Sequence, residues 1–322
     1  MSKFENKTIL ITGSNGFLGK AFVSALSKVN NTKLILIDNF IVPNNIDFKQ
    51  NQHTFIQCDI NVDLKETLKN YKFDYIINAA GIASPHWYNK FQLETLQVNL
   101  DGSRNILNLA KDHNAEVLMF SSSEVYGTPL EGNIPTKENY IGQVPTLTKR
   151  SAYDIGKLVT ETLSYVYHNI GVNVKIVRPF NFVGPGLSST DGRVLPNFMS
   201  KVLKNENIII YGDGKQTRTF CHISDAIDGC LKVLESGKSG EAYNIGNSLN
   251  EISMLDFANK IIKLTNSKSQ IELIQRPLHY ETEPLRRCPD VTKAEVELNY
   301  KANVNVDDII IEFYNWAKLE YK

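Results

Sequence analysis

A chain of 322 residues with 42% hydrophobic and 22% charged residues has the composition of a soluble globular protein, with core enough for one large domain or two smaller ones. Lys plus Arg equals Asp plus Glu, 35 against 35, so no net field draws the chain to nucleic acid or an anionic membrane, and any phosphate site must be a local device. Cys58, Cys221, Cys230 and Cys288 have no C-x-x-C or metal-ligand spacing, no run of about 18 apolar residues spans a membrane, and no apolar leader precedes the first strand; a reducing, cytoplasmic compartment and no metal are expected.

Lys7 to Thr12 is a short β-branched run of the kind buried in parallel sheets. Gly13, Gly16 and Gly19 follow at once in TGSNGFLG, and an amphipathic stretch continues to Val29. Strand, glycine turn and helix in that order are the context a dinucleotide-binding fingerprint needs. Gly13 permits the tight turn, Gly16 lets the backbone approach a pyrophosphate, Gly19 lets helix and strand pack closely, and the helix N-terminus faces the phosphates. The spacing is G-x-x-G-x-x-G, not G-x-G-x-x-G. A second strand, Lys33 to Ile37, ends in Asp38, whose carboxylate suits both ribose hydroxyls and favours NAD over NADP. A third, Thr54 to Cys58, ends at Asp59-Ile60, where an acid could hold an adenine amino group or simply make a turn.

Phe73 to Ala80 is a fourth strand, and the small Ala79, Ala80 and Gly81 would let a cofactor cross its tip. Ala83 to Tyr88 reads as a loop, and Phe91 to Lys111 as a helix containing Asn99. A fifth strand, Glu116 to Ser121, runs into Ser122-Ser-Glu-Val-Tyr-Gly127. Arg150 to Asn169 is a helix that carries Tyr153 and Lys157, four residues apart and so on one face. An ammonium held there favours the phenolate, which makes the tyrosine easier to deprotonate than its ordinary pKa of about 10 implies. The pair is a base suited to a sugar or alcohol hydroxyl. Asn173 to Arg178 is a sixth strand.

The alternation predicts an α/β fold: a Rossmann-type doubly wound parallel sheet that binds ligands at the carboxyl ends of its strands, where Gly13, Asp38, Tyr88 and Ser122 fall. After Pro179 the texture changes. A loop rich in Gly, Pro and Ser leads through Asn181 and Gly186 to Arg193, followed by a helix (Val194 to Lys204), a strand (Ile208 to Tyr211) and the turn Gly212-Asp-Gly214. Gln216-Thr-Arg218, a helix from Ser224 to Glu235 and a strand from Glu241 to Ile245 come next. A helix from Ser253 to Leu264, a Pro-containing loop from Arg276 to Pro289 and two helical stretches complete the chain. The expected division is an NAD-binding domain at 1–180, with 219–246 returning to it, and a smaller C-terminal α/β substrate-binding lid made of 181–218 and 247–322.

TGSNGFLG, Asp38, SSSEVYG, YDIGK, RPFNFVGPG and YGDGKQTRTFCHISDAIDG together resemble the extended short-chain dehydrogenase/reductases that act on nucleotide sugars, in order and over nearly the whole chain. Within that family, ASPHWY, SSSEVYG, the arginine before AYDIGK, TDGRVLPNF and RRCPD are most similar to the UDP-glucuronate decarboxylase (UDP-xylose synthase) group. The resemblance implies NAD as cofactor, with contacts from Gly13, Asn15, Gly16, Phe17, Leu18, Gly19, Asp38, Asn39, Asp59, Ile60, Ala79, Ala80, Gly81, Asn99, Tyr153 and Lys157. It implies Ser122 at the sugar 4-hydroxyl and Tyr153 as base. Lys157 would lower the pKa of Tyr153 and hold the nicotinamide ribose. Ser123 and Glu124 would lie beside carbons 5 and 6 of the sugar, and Tyr88 and Arg287 at its carboxylate. Asn181 would meet the diphosphate, and Arg193, Tyr211 and Arg218 the rest of a UDP-linked substrate.

The chemistry so implied is oxidation at sugar carbon 4, loss of carbon dioxide from the resulting β-keto acid, and re-reduction. There are departures from the group: NAAG follows the fourth strand, Ser122 replaces a threonine, and Gly186 replaces an arginine after GP. A 4,6-dehydratase is an alternative, although Ser123 stands where related dehydratases carry an aspartate. A 4-epimerase, which needs only Ser, Tyr and Lys, is another. A non-catalytic NAD-binding regulator, which could dispense with the Tyr/Lys pair, ranks last. The resemblance also implies a homodimer through the helices Phe91 to Lys111 and Arg150 to Asn169.

Overall fold

The protein is described from a computed structural model that covers residues 3–43, 53–276 and 284–321. Part of the expected loop from Arg276 to Pro289 lies outside these described residues. Near-continuous aliphatic runs make the centre of the fold. Strands β1 (Thr8–Thr12), β2 (Lys33–Asp38), β3 (Thr54–Gln57), β4 (Tyr75–Asn78), β5 (Glu116–Phe120) and β6 (Val174–Pro179) join Ala242–Ile245 in one seven-stranded sheet. The order across it is Ala242–Ile245, β6, β5, β4, β1, β2, β3, and every pairing is parallel. Strands of this kind are covered on both faces, so they need no polar alternation. Ile9 and Ile11 pack on one side with Phe22 and Leu26, while Leu10 packs on the other with Ile106 and Leu107. The strand order reverses between β1 and β4, which opens a crevice at their carboxyl ends.

The glycine turn sits at that crevice. Gly13 has a φ of 60°, and a Cβ there would lie 2.6 Å from Ala80 Cα. A Cβ on Gly19 would lie 2.2 Å from the Gly13 carbonyl oxygen. Only glycine lets the Phe17–Leu26 helix start this close to β1 and β4. The helix stops at Leu26, short of the expected Val29, and the Ser27 hydroxyl donates to Val23 O at 2.6 Å in its last turn.

Two expected elements need correction. Ala83 to Tyr88 is not wholly a loop, because Pro85–Lys90 is a helix. Ser84 supplies the extended entry residue, and Pro85 takes the first helical position, where its missing N–H costs nothing. The stretch from Phe91 to Lys111 is not one regular helix. Gln92–Gln97 and Ser103–His113 are separated by a wide π-type turn, Val98–Gly102, that contains Asn99.

A second apolar core lies away from the sheet. The helices Val194–Lys204, Met254–Thr265 and Val306–Glu320 close around Leu195, Phe198, Phe257, Ile261, Ile309 and Phe313. Ile208–Tyr211 pairs with Ile271–Ile274, and Thr217–Thr219 lies between Glu251–Ser253 and Arg286–Arg287. Between these pieces the Ile223–Ser236 helix packs on the sheet side, with Ile227, Cys230 and Val233 in the same core as Ile9 and Phe22. Phe17, at the start of the first helix, touches both cores. Among the described residues no helix is long and apolar enough to cross a membrane.

The approach of Gly19 to Gly13 is backbone against backbone, so an added methyl has no flexible neighbour to displace. Gly19→Ala is expected to cost about 1–3 kcal/mol of stability through overpacking, read from denaturant midpoints. An unchanged midpoint would mean the turn and helix are not this close.

Candidate active site

The site grows from the tips of β1, β2 and β4. The Thr12 hydroxyl donates to Asn78 Oδ1 at 2.6 Å and accepts from Ala80 N at 3.1 Å, which pins β1 to β4. Asp38 at the end of β2 accepts from Asn15 N at 2.9 Å and from Phe40 N at 2.8 Å, which ties β2 to the glycine turn. The pocket above these tips is lined by Gly13, Asn15, Gly16, Asp38, Asn39, Asp59, Ile60, Ala79, Ala80 and Gly81, all anticipated from the sequence. It is also lined by Ile37, Ile41, Val42, Cys58, Ile82 and Val98, which were not anticipated. Their only signal is position, at strand ends and in the loops just beyond. Phe17, Leu18 and Gly19 lie on the adjoining helix. Asp59 accepts from Asn61 N at 2.8 Å and from Asn39 Nδ2 at 3.1 Å, so much of its capacity goes to the turn.

A dinucleotide fits this cradle by shape and donor set. An acid stands at one wall, a helix N-terminus follows the glycine turn, and small residues leave the β4 tip open. At the far end, a Cβ on Gly81 would lie 3.6 Å from Lys157 Nζ, so the pocket runs up to the Ser151–Asn169 helix.

Tyr153 lies in the first turn of that helix and is buried, with its ring stacked on Tyr88 at 5.0 Å between centroids. The Ser122 hydroxyl faces the Tyr153 phenol and works to lower its pKa, and it accepts from Glu124 N at 3.2 Å. Lys157 Nζ stands 5.7 Å from the centre of the Tyr153 ring and donates to Phe120 O at 2.9 Å. Asn99, in the wide turn, is buried against the same helix. Its backbone oxygen accepts from the Thr160 hydroxyl at 3.2 Å. The glycine of YDIGK admits it, because a Cβ on Gly156 would lie 2.9 Å from Asn99 Nδ2.

The simple expectation that Lys157 lowers the Tyr153 pKa does not hold for the protein groups alone. Burial outweighs the Ser122 hydrogen bond and pushes Tyr153 up to about 12. Burial likewise pulls Lys157 down to about 8. Neighbourhood on a helix face brings the two together, but desolvation governs both.

Glu124 is the hub of the remaining charges. Both terminal nitrogens of Arg287 donate to it, NH2 at 2.9 Å, and Arg150 donates to Glu124 Oε2. Burial would raise this carboxyl, but Arg287 and then Arg150 overcome it and hold Glu124 below the usual carboxylate range. Arg150 and its neighbour on the helix, Asp154, were not among the anticipated site residues. Arg150 Nε stands 3.5 Å from Asp154 Oδ2. Ser123 is buried at the start of the Ser123–Tyr126 turn beside Glu124.

The other anticipated residues are placed as follows. Arg193 pairs with Asp191 and lies over the Phe17 ring at 5.8 Å, and its charge reaches Tyr153. Ser84, which leads into the Tyr88 helix, donates to Asp191 O and holds that loop against it. Arg218 donates to Thr217 O at 2.8 Å and its charge reaches Glu124. Asn181 has a φ of 42° and donates to Thr219 O at 2.9 Å. Tyr211 is exposed at the end of Ile208–Tyr211, on a sheet separate from the central one. Among the described residues no group of three or more His, Cys, Asp or Glu is placed to hold a metal ion.

Residues 9–246 match the model of the NAD dependent epimerase/dehydratase family. The chain belongs to this family. Like the family, it uses NAD. It is 36% identical over 309 residues to UDP-glucuronic acid decarboxylase 5 of Arabidopsis thaliana, covering 95% of this chain and 88% of that one. It is 35% identical over 313 residues to UDP-glucuronic acid decarboxylase 1 of Xenopus tropicalis, covering 96% and 71%. Among solved structures, UDP-glucuronic acid 4-epimerase of Bacillus cereus, in complex with UDP-glucuronic acid and NAD, superimposes with a TM-score of 0.84 at 28% identity. The match covers 98% of this chain and all of that one.

Lys157 loses its proton near pH 8 in the folded chain and near 10.5 when unfolded. Between those values the unfolded chain binds the extra proton, so this group makes stability rise with pH, by on the order of 3 kcal/mol. Lys157→Met should flatten that rise in melting curves taken across pH 8 to 10.5; identical pH dependence in both proteins would show that the amine is not desolvated.

Proposed function

We propose that the protein is an NAD-dependent UDP-glucuronate decarboxylase that oxidises sugar carbon 4, releases carbon dioxide and re-reduces the sugar to UDP-xylose. One observation carries the reading: Ser122 and Tyr153, which face each other, stand beside Glu124, a carboxylate gripped by Arg150 and Arg287. A 4-epimerase of a neutral sugar needs the first pair and has no use for the second cluster, whereas against an epimerase of a sugar acid it is the relatives that weigh. The relatives named UDP-glucuronic acid decarboxylase support it across nearly the whole chain.

In this reading Tyr153 takes the proton of the 4-hydroxyl and Ser122 donates to the oxygen as it becomes a carbonyl. Lys157 offers a positive charge at the base of that pair. Bound NAD, held by Gly13, Gly16, Asp38 and the small residues at the β4 tip, supplies the acceptor and then the donor of a hydride at carbon 4. Oxidation there leaves the carboxylate β to a ketone, so the electrons of the breaking bond flow into the carbonyl as an enolate. Arg287 orients the departing carboxylate and shares its charge between it and Glu124. Glu124, held ionised, suits ordering water beside carbon 5, with Ser123. The reading gives 1–180 and 219–246 the cofactor, and 181–218 and 247–322, with Arg193 and Arg218, the nucleotide. It places the protein in the cytoplasm as a homodimer, consistent with four free cysteines and with exposed Leu93, Leu96, Tyr165 and Val166 on two neighbouring helices and Leu100 in the wide turn that continues the first.

Purified protein with UDP-glucuronate should release carbon dioxide and UDP-xylose without added oxidant. Formation of the 4-epimer with no carbon dioxide, or of a 4-keto-6-deoxy sugar from a neutral nucleotide-hexose, would overturn the reading. Tyr153→Phe should bind NAD as the parent does and lose turnover by about 10²-fold or more. Glu124→Gln should slow decarboxylation far more than it weakens NAD binding. Replacing Leu93 and Leu96 by Glu should halve the mass seen in sedimentation if these helices form the dimer.

A further inference from the structure

Decarboxylation consumes a proton. The bond between carbons 5 and 6 breaks, its electrons enter the 4-ketone as an enolate, carbon dioxide leaves, and carbon 5 then takes up one proton. The substrate carboxylate also brings a negative charge beside a buried cluster in which Glu124 and Asp154 already face Arg150 and Arg287, with the charge of Arg218 reaching Glu124. A charge added to such a cluster without compensation is expensive. A carboxylate of the cluster that takes a proton removes that cost.

The geometry says which. Glu124 receives both terminal nitrogens of Arg287 and one of Arg150. Asp154 is as buried as its neighbours, yet its one cation contact is Arg150 Nε at 3.5 Å, and its Oδ1 is enclosed without a hydrogen-bond partner among the described residues. A carboxylate oxygen in that position loses its hydration and gains nothing in return.

We propose that Asp154 is the proton store of this site, taking up a proton as the sugar carboxylate binds and giving it up when that carboxylate leaves as carbon dioxide. The inference rests on the decarboxylase reading for its second half only. The proton released matches the one that carbon 5 takes, so the protein ends each cycle as it began. Burial and then the charge of Glu124 push Asp154 up to about 7, where a small change in local charge moves its proton. The groups that face it are Arg150 on its own helix, Tyr153 beside it, Glu124 from the Ser123–Tyr126 turn, Arg287 from Arg286–Arg287, and Tyr88 from Pro85–Lys90. Asp154 acts through the arginine it shares with Glu124 and is a positioning residue.

The test is titration calorimetry on the NAD-loaded protein near neutral pH, in buffers of unlike ionisation enthalpy, which reads protons taken up per ligand bound. A Tyr153→Phe background prevents turnover. UDP-glucuronate should draw in a substantial fraction of one proton and the neutral UDP-glucose none. Adding Asp154→Asn should abolish the uptake, and Asp154→Glu should restore it. With Tyr153 intact, Asp154→Asn should lower kcat by about 10²-fold with little change in KM, and flatten the alkaline limb of the pH profile. Equal uptake for the two sugars, or uptake unchanged by Asp154→Asn, would overturn the proposal. Carbon dioxide release without Asp154-dependent uptake sinks the store and leaves the decarboxylase reading standing. Asp154-dependent uptake without carbon dioxide release sinks that reading and leaves the store as a charge-balancing device. If Asp154→Asn fails to fold, the comparison of the two sugars still decides.

Discussion

A carboxylate held between two guanidinium groups joins three parts of this chain that lie far apart in sequence. Glu124 comes from the turn after β5, Arg150 from the entry to the Tyr153 helix, and Arg287 from the short strand near the C-terminus. None of these charges could be buried alone, because an unpaired ion in such a place costs several kcal/mol. Their mutual satisfaction therefore fixes how the C-terminal segment meets the tips of the sheet. Ser122, hydrogen-bonded to Glu124 N and facing Tyr153, carries that constraint into the base.

Desolvation is the second theme. The same burial that makes the cluster strong moves Tyr153 up and Lys157 down. A tyrosine and a lysine four apart on an exposed helix would behave almost as separate groups. Here they are enclosed by Tyr88, Phe120 and the β4 tip, so the charge of whatever binds beside them becomes part of their chemistry. Asp154 belongs to the same economy, since it is buried with one weak partner and is the softest point of an otherwise paired set.

One frame hosts several reactions in this family. The Bacillus cereus epimerase, whose structure was solved with UDP-glucuronic acid and NAD, shares this chain's frame at a TM-score of 0.84. Fold alone therefore does not choose between epimerisation and decarboxylation. The choice must lie in side chains rather than in the frame, and the relatives at 35–36% identity weigh toward loss of the carboxylate.

The sheet was legible because buried parallel strands are written as unbroken aliphatic runs, and each of β1 to β6 appears within two residues or so of where its run lies. The glycine turn was legible because its spacing admits few other backbones. Pro85–Lys90 was missed since six residues with two aromatics show no period; its start is set by Ser84 and Pro85, a local signal that the aromatic-rich sequence around it obscured. The break at Asn99 was missed for a different reason, since the wide turn sets Asn99 against a distant helix where Gly156 makes room for it, a contact no local pattern announces. By itself the sequence determined the strands, the glycine turn and the placing of Tyr153 and Lys157 on one helix face, all of which rest on local order and short spacing, while Ser122 was reached only through family resemblance. Only the tertiary structure decided that Arg150 and Arg287 share Glu124, that Asp154 is left short of partners, and that burial rather than spacing governs the base, because charge pairing and desolvation depend on which distant segments exclude water from one another.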